Sequence, residues 1–136
     1  MNIVDLVKIH LEERLPVETF SVSDELSPNG RCITIRPTNP EAAQMTFWIA
    51  DISPIDLLLG KAFATELEQS DTQRLIAMVD AVIAGQLKDH IWTICGRTIY
   101  SRSKVITHQG TMTVRNGIPF AYPPWLRHDR SYAPYN

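Results

Sequence analysis

After His90 the apolar residues of this chain stop recurring every three to four positions and begin to alternate. That change of period constrains the fold more than any other feature, because amphipathic helices and half-buried strands leave different spacings in a sequence. IWTIC (91–95), RTIYS (97–101), KVITH (104–108), TMTVR (111–115) and IPFAY (118–122) read as short antiparallel strands in a meander. Asn116-Gly117 supplies a strong hairpin signal and Gln109-Gly110 a weaker one, while Gly96 fits a bulge. An alternating strand–helix rhythm is missing, which argues against a doubly wound parallel sheet.

The part before His90 is mixed. Ile3, Leu6, Val7 and Leu11 recur at helical spacing behind Asn2, a good N-cap, and Pro16 ends that helix. VETFSVS (17–23) and RCITIR (31–36) alternate around Ser27-Pro28-Asn29-Gly30, so a hairpin is predicted. QMTFWIAD (44–51) is apolar on both faces and reads as a central strand covered on both sides. Ser53-Pro54-Ile55-Asp56 resembles a helix start, continued by Leu57, Leu58, Ala62, Phe63 and Leu67. A further helix follows Ser70 and Gln73, with Leu75, Met78, Val79, Val82 and Ile83 on one face and Gly85 at its end. The expected fold class is α+β. It consists of one antiparallel sheet, made of the N-terminal hairpin, a third strand and the C-terminal meander, with about three helices mainly on one face. Residues 1–122 would form a single domain, and 123–136 a Pro- and aromatic-rich tail lying on it or on a neighbouring subunit.

Charge divides unevenly along the chain. Residues 1–90 carry 14 acids against 7 bases, whereas 91–136 carry one acid, Asp129, against six bases and hold seven of the eleven aromatics. The acidic and basic parts can pack together and partly cancel, either part can form a protein–protein surface, or the basic, aromatic part can meet nucleic acid through phosphate neutralisation and stacking. Arg97, Arg102, Arg115, Trp125, Arg127, Arg130 and Tyr132 are the candidate partner-binding residues there, being of the types that dominate binding hot spots. Glu66, Glu68 and Asp71 are the acidic candidates. A homo-oligomer formed by exchange of the tail is compatible with either set.

Chemistry leaves few traces. No two of the four histidines have a zinc-like spacing, Cys32 and Cys95 lack a C-x-x-C partner, and neither a phosphate-binding loop nor a nucleophile elbow occurs. No metal or cofactor is therefore expected. If a dispersed active site exists, His108 with a distant carboxylate and one of Arg97, Arg102 or Arg115 is its best candidate. The chain has no apolar run of membrane-spanning length and no signal-peptide pattern, and its two lone cysteines suit a reducing cytoplasm. In size, class and charge the sequence resembles the small immunity proteins of bacterial toxin systems. That resemblance implies a non-catalytic cytoplasmic domain that blocks a toxin or other partner protein, often through an acidic face set against a basic toxin domain, and it assigns no residue a role.

Overall fold

A computed structural model describes residues 2–50, 54–117 and 122–136. The order of elements is α1 (Ile3–Arg14), β1 (Phe20–Ser27), β2 (Gly30–Pro37), β3 (Met45–Ile49), β4 (Ile55–Leu59), β5 (Phe63–Leu67), α2 (Thr72–Ile83), β6 (Leu87–Ile94), β7 (Arg97–Thr107), β8 (Gly110–Gly117) and β9 (Arg127–Ser131). Single turns of 3₁₀ helix lie before β1 and β9. The strands form two antiparallel sheets, one ordered β1-β2-β3-β4-β5 and the other β8-β7-β6-β9. The expected single sheet with about three helices is thus corrected to two sheets with two α-helices among the described residues.

The main correction lies at residues 55–67, where a helix was expected and a hairpin stands. Ile55, Leu57 and Leu59 are buried and Asp56 and Leu58 exposed, which is a strand's period of two. Leu57-Leu58 and Ala62-Phe63 mimic helical spacing only because the strands on either side of the turn each bring an apolar residue to it. Gly60 makes the turn with φ +63°, and a Cβ there would stand 2.7 Å from the Tyr132 ring. Only glycine satisfies both demands. The expected cap at Ser53 lies outside the described residues.

Other expectations fare better. Asn2 caps α1, its side chain accepting from the Asp5 amide at 2.9 Å. Val7 and Leu11 face the core as expected, joined by Val4. α2 buries Leu75, Met78, Val79 and Val82, although its cap is Asp71 rather than Ser70. β1 and β2 pair across Pro28-Asn29, with Ser27 opposite Gly30. β3 is central, third of five strands, yet it is covered on one side only: Met45 and Phe47 are buried, while Thr46 and Trp48 are half-exposed on the outer face.

In the C-terminal half the meander compresses. RTIYS and KVITH belong to one eleven-residue strand, β7. Cys95 and Gly96, both at positive φ, form the turn before it rather than a bulge. Asn116 and Gly117 are the last residues of β8, and residues 118–121 of the IPFAY strand expected to follow that turn lie outside the described residues. The tail supplies β9, the edge strand beside β6, and then sends Tyr132 and Tyr135 into the core at 5% and 3% exposure. A single apolar core joins both helices, both sheets and these two tyrosines. None of the described helices is long and apolar enough to cross a membrane.

Candidate functional site

The pairing register of the second sheet decides which side chains share a face. Arg115, Arg102, His90 and Asp129 lie across β8, β7, β6 and β9 in one row. Thr113, Lys104, Lys88 and Ser131 form the next row, and Gly117, Tyr100, Trp92 and Arg127 the row on the other side. Alternation puts these three rows on one face and the buried set, Leu87, Asp89, Ser101, Ser103 and Val105, on the other. The outer face therefore gathers Lys88, Arg102, Lys104, Arg115 and Arg127 against a single carboxylate, on a protein whose formal charge is −2.

Aromatic rings form its other half. The Trp92 and Tyr100 ring centroids are 5.2 Å apart, and Tyr122 stacks on Tyr100 at 5.8 Å. Trp125 is 81% exposed in the turn before β9. Asp129 anchors the polar half: its Oδ1 lies 2.7 Å from His90 Nδ1 and 3.0 Å from Arg127 Nε. The hydrogen bond from His90, aided by the charge of Arg127, holds the Asp129 carboxyl below the usual carboxylate range. Two shielded donors in these rows, Trp92 Nε1 and Arg102 Nε, have no acceptor among the described residues. A shielded donor without an acceptor costs about 1–3 kcal/mol, and an acceptor reaching it after a small rotation would recover that.

The outer face of the first sheet has the opposite character. Glu25, Cys32, Trp48, Asp56 and Glu66 form one row, and Ser23, Thr34, Thr46, Leu58 and Ala64 the next. Trp48, Leu58 and Ala64 floor a shallow groove of about 440 Å³ rimmed by Asp56 and Glu66. Those two carboxylates stand directly opposite each other, with no ion pair among the described residues. Like charges so placed are unfavourable.

The sequence-derived candidates distribute as follows. Arg102, Arg115 and Arg127 share the basic face, and Trp125 adjoins it. Arg97 sits at the exposed start of β7 beside the Cys95-Gly96 turn. Arg130 belongs to the opposite face, with its guanidinium carbon 5.0 Å from the centre of the Tyr132 ring. Tyr132 is buried: its hydroxyl donates to Asp89 Oδ2 at 2.7 Å and accepts from the Lys61 amide at 3.1 Å. The acidic set divides too. Glu66 faces out from β5, Glu68 is exposed beyond it, and Asp71 serves α2 as its cap.

His108 lies in the β7–β8 turn, in a cleft lined by Leu6, Thr72, Gln73, Ile76 and Gln109. Among the described residues no carboxylate lines that cleft, and Arg102, six residues back along β7, is about 20 Å away at strand rise. The dispersed catalytic set is not brought together. Among the described residues no group of three His, Cys, Asp or Glu side chains could hold a metal ion. Lys88, His90, Trp92, Tyr100 and Tyr122 are members of the face that sequence reasoning missed. Their alternation was visible, but only the register of β6 with β7 and β9 shows that they converge. No family model, curated protein or solved structure matches this chain.

Proposed function

We propose that this chain is a non-catalytic cytoplasmic binding protein of the immunity type, which blocks an acidic patch on a partner protein with the outer face of its second sheet. The observation that carries this reading is the convergence of five cations and the Trp92–Tyr100–Tyr122 cluster on one sheet face. Arg, Trp and Tyr are the residue types on which binding energy concentrates, and a single-sign charge field steers an oppositely charged partner. The two free thiols, Cys32 and Cys95, are compatible with a reducing compartment.

A nucleic-acid partner fits this face less well. Tyr100 already packs against Trp92 and stacks with Tyr122, which restricts the ring surface that could receive a base. The acidic remainder of the molecule would also repel a long polyanion. A second reading, a basic partner docking in the Trp48 groove, is favoured by the uncompensated Asp56–Glu66 pair.

The test is capture from the native lysate with wild type, with R102E/R115E and with D56N/E66Q, each with and without nuclease. A stoichiometric protein lost only with R102E/R115E, and released by rising salt, is the expected result. Loss only with D56N/E66Q would move the interface to the first sheet. Recovery that vanishes with nuclease would replace the protein partner by nucleic acid.

A further inference from the structure

A second cleft, of about 380 Å³, opens where the end of β2, the β4–β5 turn and β9 meet. Its lining includes Arg36 at the end of β2, Lys61 in the β4–β5 turn and Arg130 in β9, one cation from each of three separate parts of the chain. Among the described residues no carboxylate lines it, while Asn39 and Gln44 do.

The pairing of the other cations makes this arrangement informative. Six basic residues precede Lys88: Lys8, Arg14, Arg31, Arg36, Lys61 and Arg74. Lys8 and Arg31 pair with Asp24, Arg14 with Asp80, and Arg74 with Asp71. The two with no ion pair among the described residues, Arg36 and Lys61, both line this one cleft, although this half of the molecule is rich in acids. Arg130 likewise has no carboxylate partner among the described residues and is held over the Tyr132 ring. Three cations that make no ion pair among the described residues raise the local positive potential, since the carboxylate opposite Arg130, Asp89, is buried and engaged by the Tyr132 hydroxyl, and an anion would relieve it.

The walls are also fixed in place. The Gly60 amide donates to Gln44 O at 2.8 Å, the Lys61 amide to the Tyr132 hydroxyl at 3.1 Å, and the Ala133 amide to Glu41 O at 2.9 Å. Ala42 and Ala133 form a parallel bridge. The backbone that carries the cations is therefore preorganised by hydrogen bonds between elements distant in sequence.

We propose that this cleft binds the phosphate group of a small phosphate monoester. Three cations exceed what a single carboxylate balances, whereas a phosphate dianion with three terminal oxygens can engage two guanidinium forks and an ammonium. The volume lies at the small end of ligand pockets and suits a compact organic group beside the phosphate.

The experiment is a titration followed by backbone amide NMR at constant ionic strength, using inorganic phosphate, phenyl phosphate and acetate with the full chain. Saturable shifts at Gly60 and Lys61 are expected for both phosphates, with phenyl phosphate the tighter. R36Q/K61Q, which changes two exposed side chains, should weaken binding at least 10-fold, while R102Q/R115Q leaves it unchanged. Non-saturating shifts, equal affinity in R36Q/K61Q, or acetate binding as tightly as phosphate would overturn the site. Tighter binding of a phosphoserine peptide than of phenyl phosphate would overturn the small-molecule assignment. Because R102Q/R115Q probes the other face, failure here is distinguishable from failure of the partner-binding reading.

Discussion

Tyr132→Phe removes one oxygen atom from the point where the tail, the β4–β5 turn and β6 meet. The hydroxyl donates to Asp89 Oδ2 at 2.7 Å, and Asp89 is fully buried with its other oxygen already lacking a partner. Without the hydroxyl the carboxyl group keeps no hydrogen bond among the described residues, and the Lys61 amide loses its acceptor. Loss of a bond to a buried acidic group costs about 1.5–3 kcal/mol and loss of a neutral one about 1 kcal/mol. The expected destabilisation is therefore about 3 kcal/mol, a large share of the roughly 5–15 kcal/mol that stabilises a domain. In urea unfolding the midpoint should fall by about 1.5–2 M with the slope unchanged, taking a slope of roughly 1.5–2 kcal/mol/M for this size.

The same hydroxyl gives the variant a pH signature. Burial, reinforced by the bond to Asp89, pushes the Tyr132 hydroxyl up to about 12. The folded value lies above the unfolded value of about 10, so its contribution is complete below pH 10 and is lost as pH rises toward 12. That arm amounts to about 3 kcal/mol at about 1.4 kcal/mol per unit, and it should disappear in Y132F. Burial raises the Tyr135 hydroxyl as well, so a residual alkaline loss persists in the variant. A fall in stability below about 0.5 kcal/mol at pH 7, or an alkaline arm unchanged in Y132F, would refute the reasoning.

Gly60→Ala should cost about 3 kcal/mol or more by thermal or urea unfolding, since the left-handed backbone and the Tyr132 ring 2.7 Å from the new Cβ both oppose it. Cys95→Asn should raise stability by a few tenths to about 1 kcal/mol in the same assay, because Cys95 holds φ +51° before Gly96, a geometry that Asn-Gly favours. An Ellman assay on the native protein should show Cys95, which is exposed, reacting ahead of the half-buried Cys32, and a single slow thiol should remain in C95N. Asn2→Ala should destabilise by about 1 kcal/mol through loss of the bond from the Asp5 amide, read by circular dichroism on heating.

How much was legible depended on the distance over which each signal acts. Helix caps, hairpin turns and faces are local, so α1, α2 and the β1–β2 hairpin could be read directly from Asn2, Leu75–Ile83 and Pro28-Asn29-Gly30. The segment 55–67 could not, because its apolar residues satisfy both periods. What selects the hairpin is the Tyr132 ring behind Gly60, more than seventy residues further on. The tail failed for a related reason. Its string of Arg, His, Asp and Ser carries no apolar alternation, and β9 is an edge strand held by backbone bonds to β6 and by the two tyrosines that follow it.

The candidate site follows the same division. From the sequence alone came the segregation of charge and aromatic residues into the last third of the chain, since counting requires no geometry. Which of those residues act together was decided by strand register, because a shift of one residue sends every side chain to the other face. Register placed Lys88, Trp92 and Tyr100 beside Arg102 and Arg115, and sent Arg130 to the opposite face. The Arg36–Lys61–Arg130 cleft is tertiary altogether: its members come from three distant segments, and only the packing of one sheet against the other brings them to a common opening.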